Sequence, residues 1–213
     1  MSEQTTSAKA EILARIRSAL TDNPQPATPV RDYRQHSSAD AQTVREMFID
    51  RIVDYKARAF TETSETVAGR IAELLGESGR FVVPEGFPAD WLPRDGSAGE
   101  RIVDTAEAPL SHAELDQLDA VVTSSTVSCA ETGTVFLNAG PAEGRRAISL
   151  IPDHHICVVP AESIVELVPE ALARVDHGQP VTMFSGPSAT SDIELQRVEG
   201  VHGPRNVDII ILD

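Results

Sequence analysis

With 213 residues, the chain is long enough for one domain, or one domain with an appendage, and for a large core. Its net charge of −15 repels phosphate backbones and argues against a nucleic-acid partner, while leaving room for a local pocket that takes a small anion. Two cysteines, Cys129 and Cys157, argue against a secreted disulfide framework and fall short of the four thiolates an iron–sulfur cluster ordinarily needs.

Aromatic residues make up only 4% of the chain, so its core must be built from Val, Ile, Leu and Ala. The first twenty residues lack the apolar stretch of a signal peptide, and no apolar run approaches the ~20 residues of a membrane span. A cytoplasmic location with no membrane span is the expectation.

In chain order, Ile12, Leu13, Ile16 and Leu20 recur at helical spacing and predict a helix over residues 8–20. Residues 22–42 carry Pro24, Pro26 and Pro29 among polar side chains and read as an extended arm, too poor in apolar area to order itself. Such an arm either stays mobile or drapes over another surface, so a homo-oligomer held through it is an open outcome. The expected organisation is a helix with a Pro-rich arm over residues 1–40 and an α/β domain over residues 41–213.

In that second part, Val44, Met47, Phe48, Ile52 and Tyr55 mark one face of a helix, and Val67, Ile71, Leu74 and Leu75 mark another, capped by Thr63 or Ser64. Short apolar runs at Ala59–Thr61, Phe81–Val83, Arg101–Asp104, Asp119–Thr123, Val135–Leu137, Ile156–Val159, Val181–Phe184 and Val207–Leu212 read as strands. A further helix is expected over Ser163–Val175, with Pro169 kinking it or starting a second one. Strands alternating with helices predict an α/β fold with a mainly parallel sheet and helices on both faces.

Two stretches hold the polar side chains that bear on function. Ser185–Arg205, SGPSATSDIELQRVEGVHGPR, is a loop between two strand-like runs, where ligands sit if the first strand's carboxyl end opens onto it; an ordinary surface loop is the alternative. Thr123–Asn138, TSSTVSCAETGTVFLN, places Glu131 on a tight turn between strands, as a base, nucleophile or ion partner, or simply as a turn carboxylate that accepts backbone N–H groups. Cys129 has no basic neighbour in sequence and reads as a buried inert thiol. Arg145 and Arg146 stand ahead of an expected helix and would either clamp a carboxylate or phosphate or lie solvated on the surface. His154 and His155 start a strand and point to opposite faces, which argues against a metal site. Dinucleotide-binding, phosphate-loop and nucleophile-elbow glycine motifs are all missing from the sequence.

The segments AETGTV at 130–135, RRAISLIPDHHICVV at 145–159, SGPSATSDIE at 185–194 and GVHGPR at 200–205 occur in an order that resembles the lactate utilisation domain family, over about residues 40–213. The resemblance implies a fold similar to the sugar-phosphate isomerase and CoA-transferase superfamily, a parallel α/β sheet with an antiparallel edge. It also implies a part in oxidising L-lactate to pyruvate with iron–sulfur partner proteins, this chain holding no cluster itself. On that reading the chain is a non-redox subunit with a pocket for a small carboxylate. Glu131 and His202 would be its catalytic residues. Thr132, Gly133, Thr134, Ser185, Gly186, Ser188, Thr190, Asp192, Gly203 and Arg205 would bind the substrate, with no metal. An independent isomerase or acyl-CoA transferase using Glu131, or a non-catalytic scaffold, are the rival expectations.

Overall fold

The computed structural model describes residues 7–76, 79–94, 97–190, 198–199 and 203–213, and the chain divides into two units, residues 1–33 and 34–213. In the first, helix α1 (Ala8–Ala19) starts where the Ser7 hydroxyl accepts the Ala10 N–H at 3.3 Å. Thr21 closes it by donating to the Ser18 carbonyl at 2.8 Å.

The second unit holds every other element. Helix α2 (Ala41–Asp54) is capped by Asp40 and followed by β1 (Arg58–Glu62), α3 (Val67–Leu75), β2 (Arg80–Pro84), β3 (Glu100–Asp104), α4 (His112–Leu115) and β4 (Ala120–Ser124). Then come β5 (Val127–Cys129), β6 (Thr134–Leu137), β7 (His154–Pro160), β8 (Ile164–Val165), α5 (Val168–Leu172), β9 (Thr182–Phe184), β10 (Ala189–Thr190), β11 (Val198–Glu199) and β12 (Asn206–Leu212). Pro169 starts α5 rather than kinking a longer helix, because its ring is tolerated only in a first turn.

Six strands form the main sheet in the order β1-β12-β7-β4-β2-β3, and each pairing between them is parallel. Such a sheet is covered on both faces, which is why its strands are apolar runs rather than alternating ones. On one face, α2 buries Val44, Phe48 and Ile52 against Cys157, Val159, Ile209 and Ile211. On the other, α3 buries Val67 and Ile71 against Phe81, Val83, Val122, Ile156 and Ile210. The α/β architecture with a mainly parallel sheet is therefore as the sequence pattern implies.

The antiparallel pairings lie elsewhere. Strands β8-β5-β6-β9 form a separate four-stranded sheet, with β6 antiparallel to both β5 and β9. The expected antiparallel edge of the main sheet is thus a second small sheet. Of the run Val181–Phe184, Thr182–Phe184 belongs to that sheet as β9, not to the buried parallel one, and Met183 is 60% exposed. Consequently the 185–205 segment does not leave the carboxyl end of a central strand; it enters β12 at its amino end. The expected helix after Arg145 is also replaced by turns.

At the amino edge, Asp208 of β12 is 1% exposed and takes a two-pronged bond from Arg58 (2.6 and 2.5 Å) and one from His154 Nε2 (2.6 Å). Burial raises its pKa, but these bonds outweigh burial and hold it below the usual carboxylate value.

Candidate functional site

The two loops singled out in the sequence do meet. Thr134 Oγ1 lies 2.8 Å from Ser185 Oγ and 2.7 Å from Thr132 Oγ1, so three hydroxyls run in a row. Both loops rest on the carboxyl end of α2. A Cβ on Gly133 (φ +58°) would come within 2.8 Å of Arg51 Cβ, and one on Gly186 (φ +78°) within 2.6 Å of the Tyr55 carbonyl oxygen. Left-handed backbone and close approach both demand glycine there. Gly186→Ala should lower stability by about 2 kcal/mol or more in urea titration; a change below about 0.5 kcal/mol would show that the loop yields freely.

Glu131 sits apart from this contact. Its carboxylate pairs with Arg34, whose guanidinium also reaches Glu166 at 3.1 Å. Its N–H donates to the Glu166 carbonyl at 2.9 Å, and Ser37 bonds the Glu166 side chain. Glu131 is thus an ion partner on a turn. Arg205 lies at the amino edge and pairs with Asp153, Nε to Oδ1 being 3.0 Å. Thr190 is on β10, whereas His202 and Asp192 lie outside the described residues.

Gly186, Ser188 and Gly203 line a small cavity of about 90 Å³ over His155 and Phe184. Three predicted binding residues therefore share one space, and neither Glu131 nor Arg205 borders it. Ser188 N–H donates to the Pro204 carbonyl at 2.8 Å, tying the two turns together.

A larger cleft, about 480 Å³, opens at the opposite edge. Its walls come from the ends of β2 (Pro84, Gly86) and β3 (Asp104, Thr105) and from the turn carrying Gly140 and Arg145. From β2 the chain runs outward to β3 and returns on the far side of β2 as β4. Connections reverse direction there, and ligands in open α/β sheets bind beyond the carboxyl ends at such a point.

Three features fix the cleft. Glu143, 5% exposed, accepts from Thr126 Oγ1 (2.5 Å) and from the N–H groups of Asn138 (2.5 Å) and Gly140 (3.0 Å), which holds the turn in place. Gly86 passes so close to that turn that a Cβ would fall 2.5 Å from Pro141 Cβ. Arg145 grips the buried Asp104 through Nε and Nη2, both at 2.8 Å, and donates to the Leu110 carbonyl at 2.5 Å. Its Nη1 hydrogens have no partner among the described residues.

Of these residues, sequence reasoning flagged Arg145 alone. Gly86, Asp104 and Glu143 were missed; the strand-end positions of Pro84 and Asp104 were the signal.

Both cysteines are buried, Cys129 on β5 and Cys157 on β7. Burial pushes the Cys157 thiol up to about 12. Among the described residues no group of three or more His, Cys, Asp and Glu side chains is arranged to hold a metal ion. No helix among them is long and apolar enough to cross a membrane.

Comparison with known proteins adds the family. A protein named lactate utilization protein C from Deinococcus radiodurans is 45% identical over 213 residues, covering 98% of this chain and 97% of that one. Proteins of the same name from Oceanobacillus iheyensis (35% identical) and Bacillus subtilis (34%) match over 45% and 53% of their own lengths, and 46% and 58% of this chain. The crystal structure of a DUF162 family protein from Deinococcus radiodurans superposes with a TM-score of 0.68 at 39% identity, covering 82% of this chain and 99% of that chain. The LUD domain model matches residues 46–212, so the chain belongs to the LUD domain family.

Proposed function

We propose that this chain is a cytoplasmic component of a lactate-utilization system, working beside iron–sulfur partner proteins in the oxidation of L-lactate to pyruvate. The observation that carries this reading is the 45% identity, over nearly the whole of both chains, to a protein named for lactate utilization. That oxidation removes two electrons and two protons. Two buried cysteines in different sheets do not suit a cluster, so other chains carry the electrons. The net charge of −15 favours partners with a basic face, whose association slows as salt rises.

Within that system the chain's own part is to bind a small carboxylate in the carboxyl-edge cleft. Arg145 is held there by Asp104 through Nε and Nη2, which leaves its two Nη1 hydrogens uncommitted among the described residues and able to donate to a carboxylate oxygen. The pairing of Glu131 with Arg34 favours this binding role over a transferase in which Glu131 is the nucleophile.

Two measurements test the reading. A deletion strain should grow poorly on L-lactate and normally on pyruvate. Normal growth on L-lactate, in a host without a second lactate dehydrogenase, would remove the proposal. Calorimetry with L-lactate and pyruvate should show binding that Arg145→Lys weakens about tenfold, because lysine keeps the charge but cannot make the two-pronged contact with Asp104 that positions the remaining donor. Undiminished binding in the variant would place the anion elsewhere.

A further inference from the structure

Strand β2 ends in a turn that brings a carboxylate, Glu85, to the carboxyl-edge cleft. The Phe87 N–H donates to the Pro84 carbonyl at 3.0 Å, which closes a four-residue turn with Glu85 and Gly86 at its corners. The turn is pinned on each side. Phe87 is 6% exposed and meets Trp91 edge to face, ring centroids 5.9 Å apart. Gly86 lies against Pro141. The Glu85 N–H donates to the Asp104 carbonyl at 3.2 Å.

Asp104 therefore anchors two opposite charges. Its main chain holds Glu85, one strand spacing of about 4.8 Å away. Its carboxylate holds the Arg145 guanidinium through two bonds of 2.8 Å. Glu85 and Arg145 both line the cleft. The Glu85 side chain is exposed and has no ion pair or hydrogen bond among the described residues. The charged side chains among the described lining residues are Glu85, Asp104 and Arg145. Asp104 and Arg145 neutralise each other, so these three leave one negative charge, at Glu85.

A carboxylate with nothing beside it suits such a cleft poorly. It gains Arg145 Nη1 but stands near a second carboxylate with no hydrogen to share between them. A ligand with a donor on the carbon next to its carboxylate satisfies both groups.

We propose that Glu85 is the specificity-determining residue of the cleft: it accepts the C2 hydroxyl hydrogen of a 2-hydroxy acid whose carboxylate rests on Arg145, and it discriminates against the 2-oxo acid. This inference rests on the carboxylate-binding role proposed for the cleft. A C2 ketone offers only lone pairs, which the Glu85 carboxylate repels. Oxidation of the alcohol removes the hydroxyl hydrogen, so the contact that holds L-lactate also lets pyruvate go. Water at the exposed Glu85 side chain weakens the preference to about tenfold, far below the ratio a buried polar site reaches.

Calorimetry on the full chain with L-lactate, propionate and pyruvate tests this. The wild-type protein should bind L-lactate about tenfold more tightly than pyruvate, and more tightly than propionate, which lacks the hydroxyl. Glu85→Gln has an amide that both donates and accepts, so it should bring L-lactate and pyruvate within about twofold of each other. The side chain is exposed, so the melting temperature of that variant should match the wild type. Arg145→Lys should weaken all three acids and keep their ratios. Pyruvate or propionate matching L-lactate in the wild type overturns the proposal, and so does a preference that survives Glu85→Gln. Equal binding of the three acids, all weakened by Arg145→Lys, removes the role of Glu85 and leaves the carboxylate site standing. Binding of none of them overturns both.

Discussion

Arg145→Met should destabilise the protein by about 3 kcal/mol, measured as the loss of unfolding free energy in urea. The side chain of Asp104 is 4% exposed, and Arg145 supplies two of its hydrogen bonds at 2.8 Å. Methionine keeps the apolar stem but leaves the carboxylate with the Leu110 N–H, at 2.9 Å, as its one remaining partner among the described residues. An unpaired buried charge is the costly state, more so than the loss of the pair itself. The figure sits at the low end of the usual range because 33% of the Arg145 side chain reaches water. A double variant, Asp104→Asn with Arg145→Met, should recover part of the loss by removing the stranded charge. If Arg145→Met instead costs less than about 1 kcal/mol, the pair is not what holds the ends of β3 and the 139–145 turn together.

The same pair links stability to the site. Asp104 is the last residue of β3, and its carboxylate fixes the guanidinium at the edge of the cleft. Arg145→Lys keeps a cation near Asp104, so it should cost less stability than methionine while still weakening carboxylate binding. Stability and binding then separate in the lysine variant and fall together in the methionine one.

Much of the fold was legible because parallel strands advertise themselves. Phe81–Val83, Ile156–Val159 and Ile209–Leu212 are apolar on both faces, and the structure places all three in the main sheet. Val181–Phe184 has a similar look, yet it pairs with β6 in the smaller sheet. A four-residue apolar run does not reveal its partner, since pairing is decided by distant residues. The site was less legible for the same reason. Dense Ser, Gly and Pro drew attention to 185–205, whereas the cleft is assembled from single residues at the ends of β2 and β3 and on one later turn. Gly86 looks like any turn glycine until Pro141 is known to lie against it. Arg145 was visible as a charge; that Asp104, 41 positions away, would orient it was not.

Phe48→Ala should be the most damaging single truncation, costing about 3–5 kcal/mol and lowering the melting temperature by roughly 10 °C. Phe48 is 0% exposed and lies where the two main layers meet. Its cluster takes Val135 and Leu137 from β6, and Cys157, Val159, Ile209 and Ile211 from β7 and β12. Removing the ring therefore opens a cavity bordered by both sheets, and neither can close it without pulling away from α2. Val53 on the same helix is 50% exposed, and Val53→Ala should stay within about 0.5 kcal/mol, which separates the loss of packing from a general weakening of α2. Hydrogen exchange gives a second reading: the Phe48→Ala chain should lose amide protection in β6 and β12 together, because one side chain supports both. Loss confined to α2, or a cost below about 1.5 kcal/mol, would mean the sheets are joined by other contacts and that α2 merely covers them.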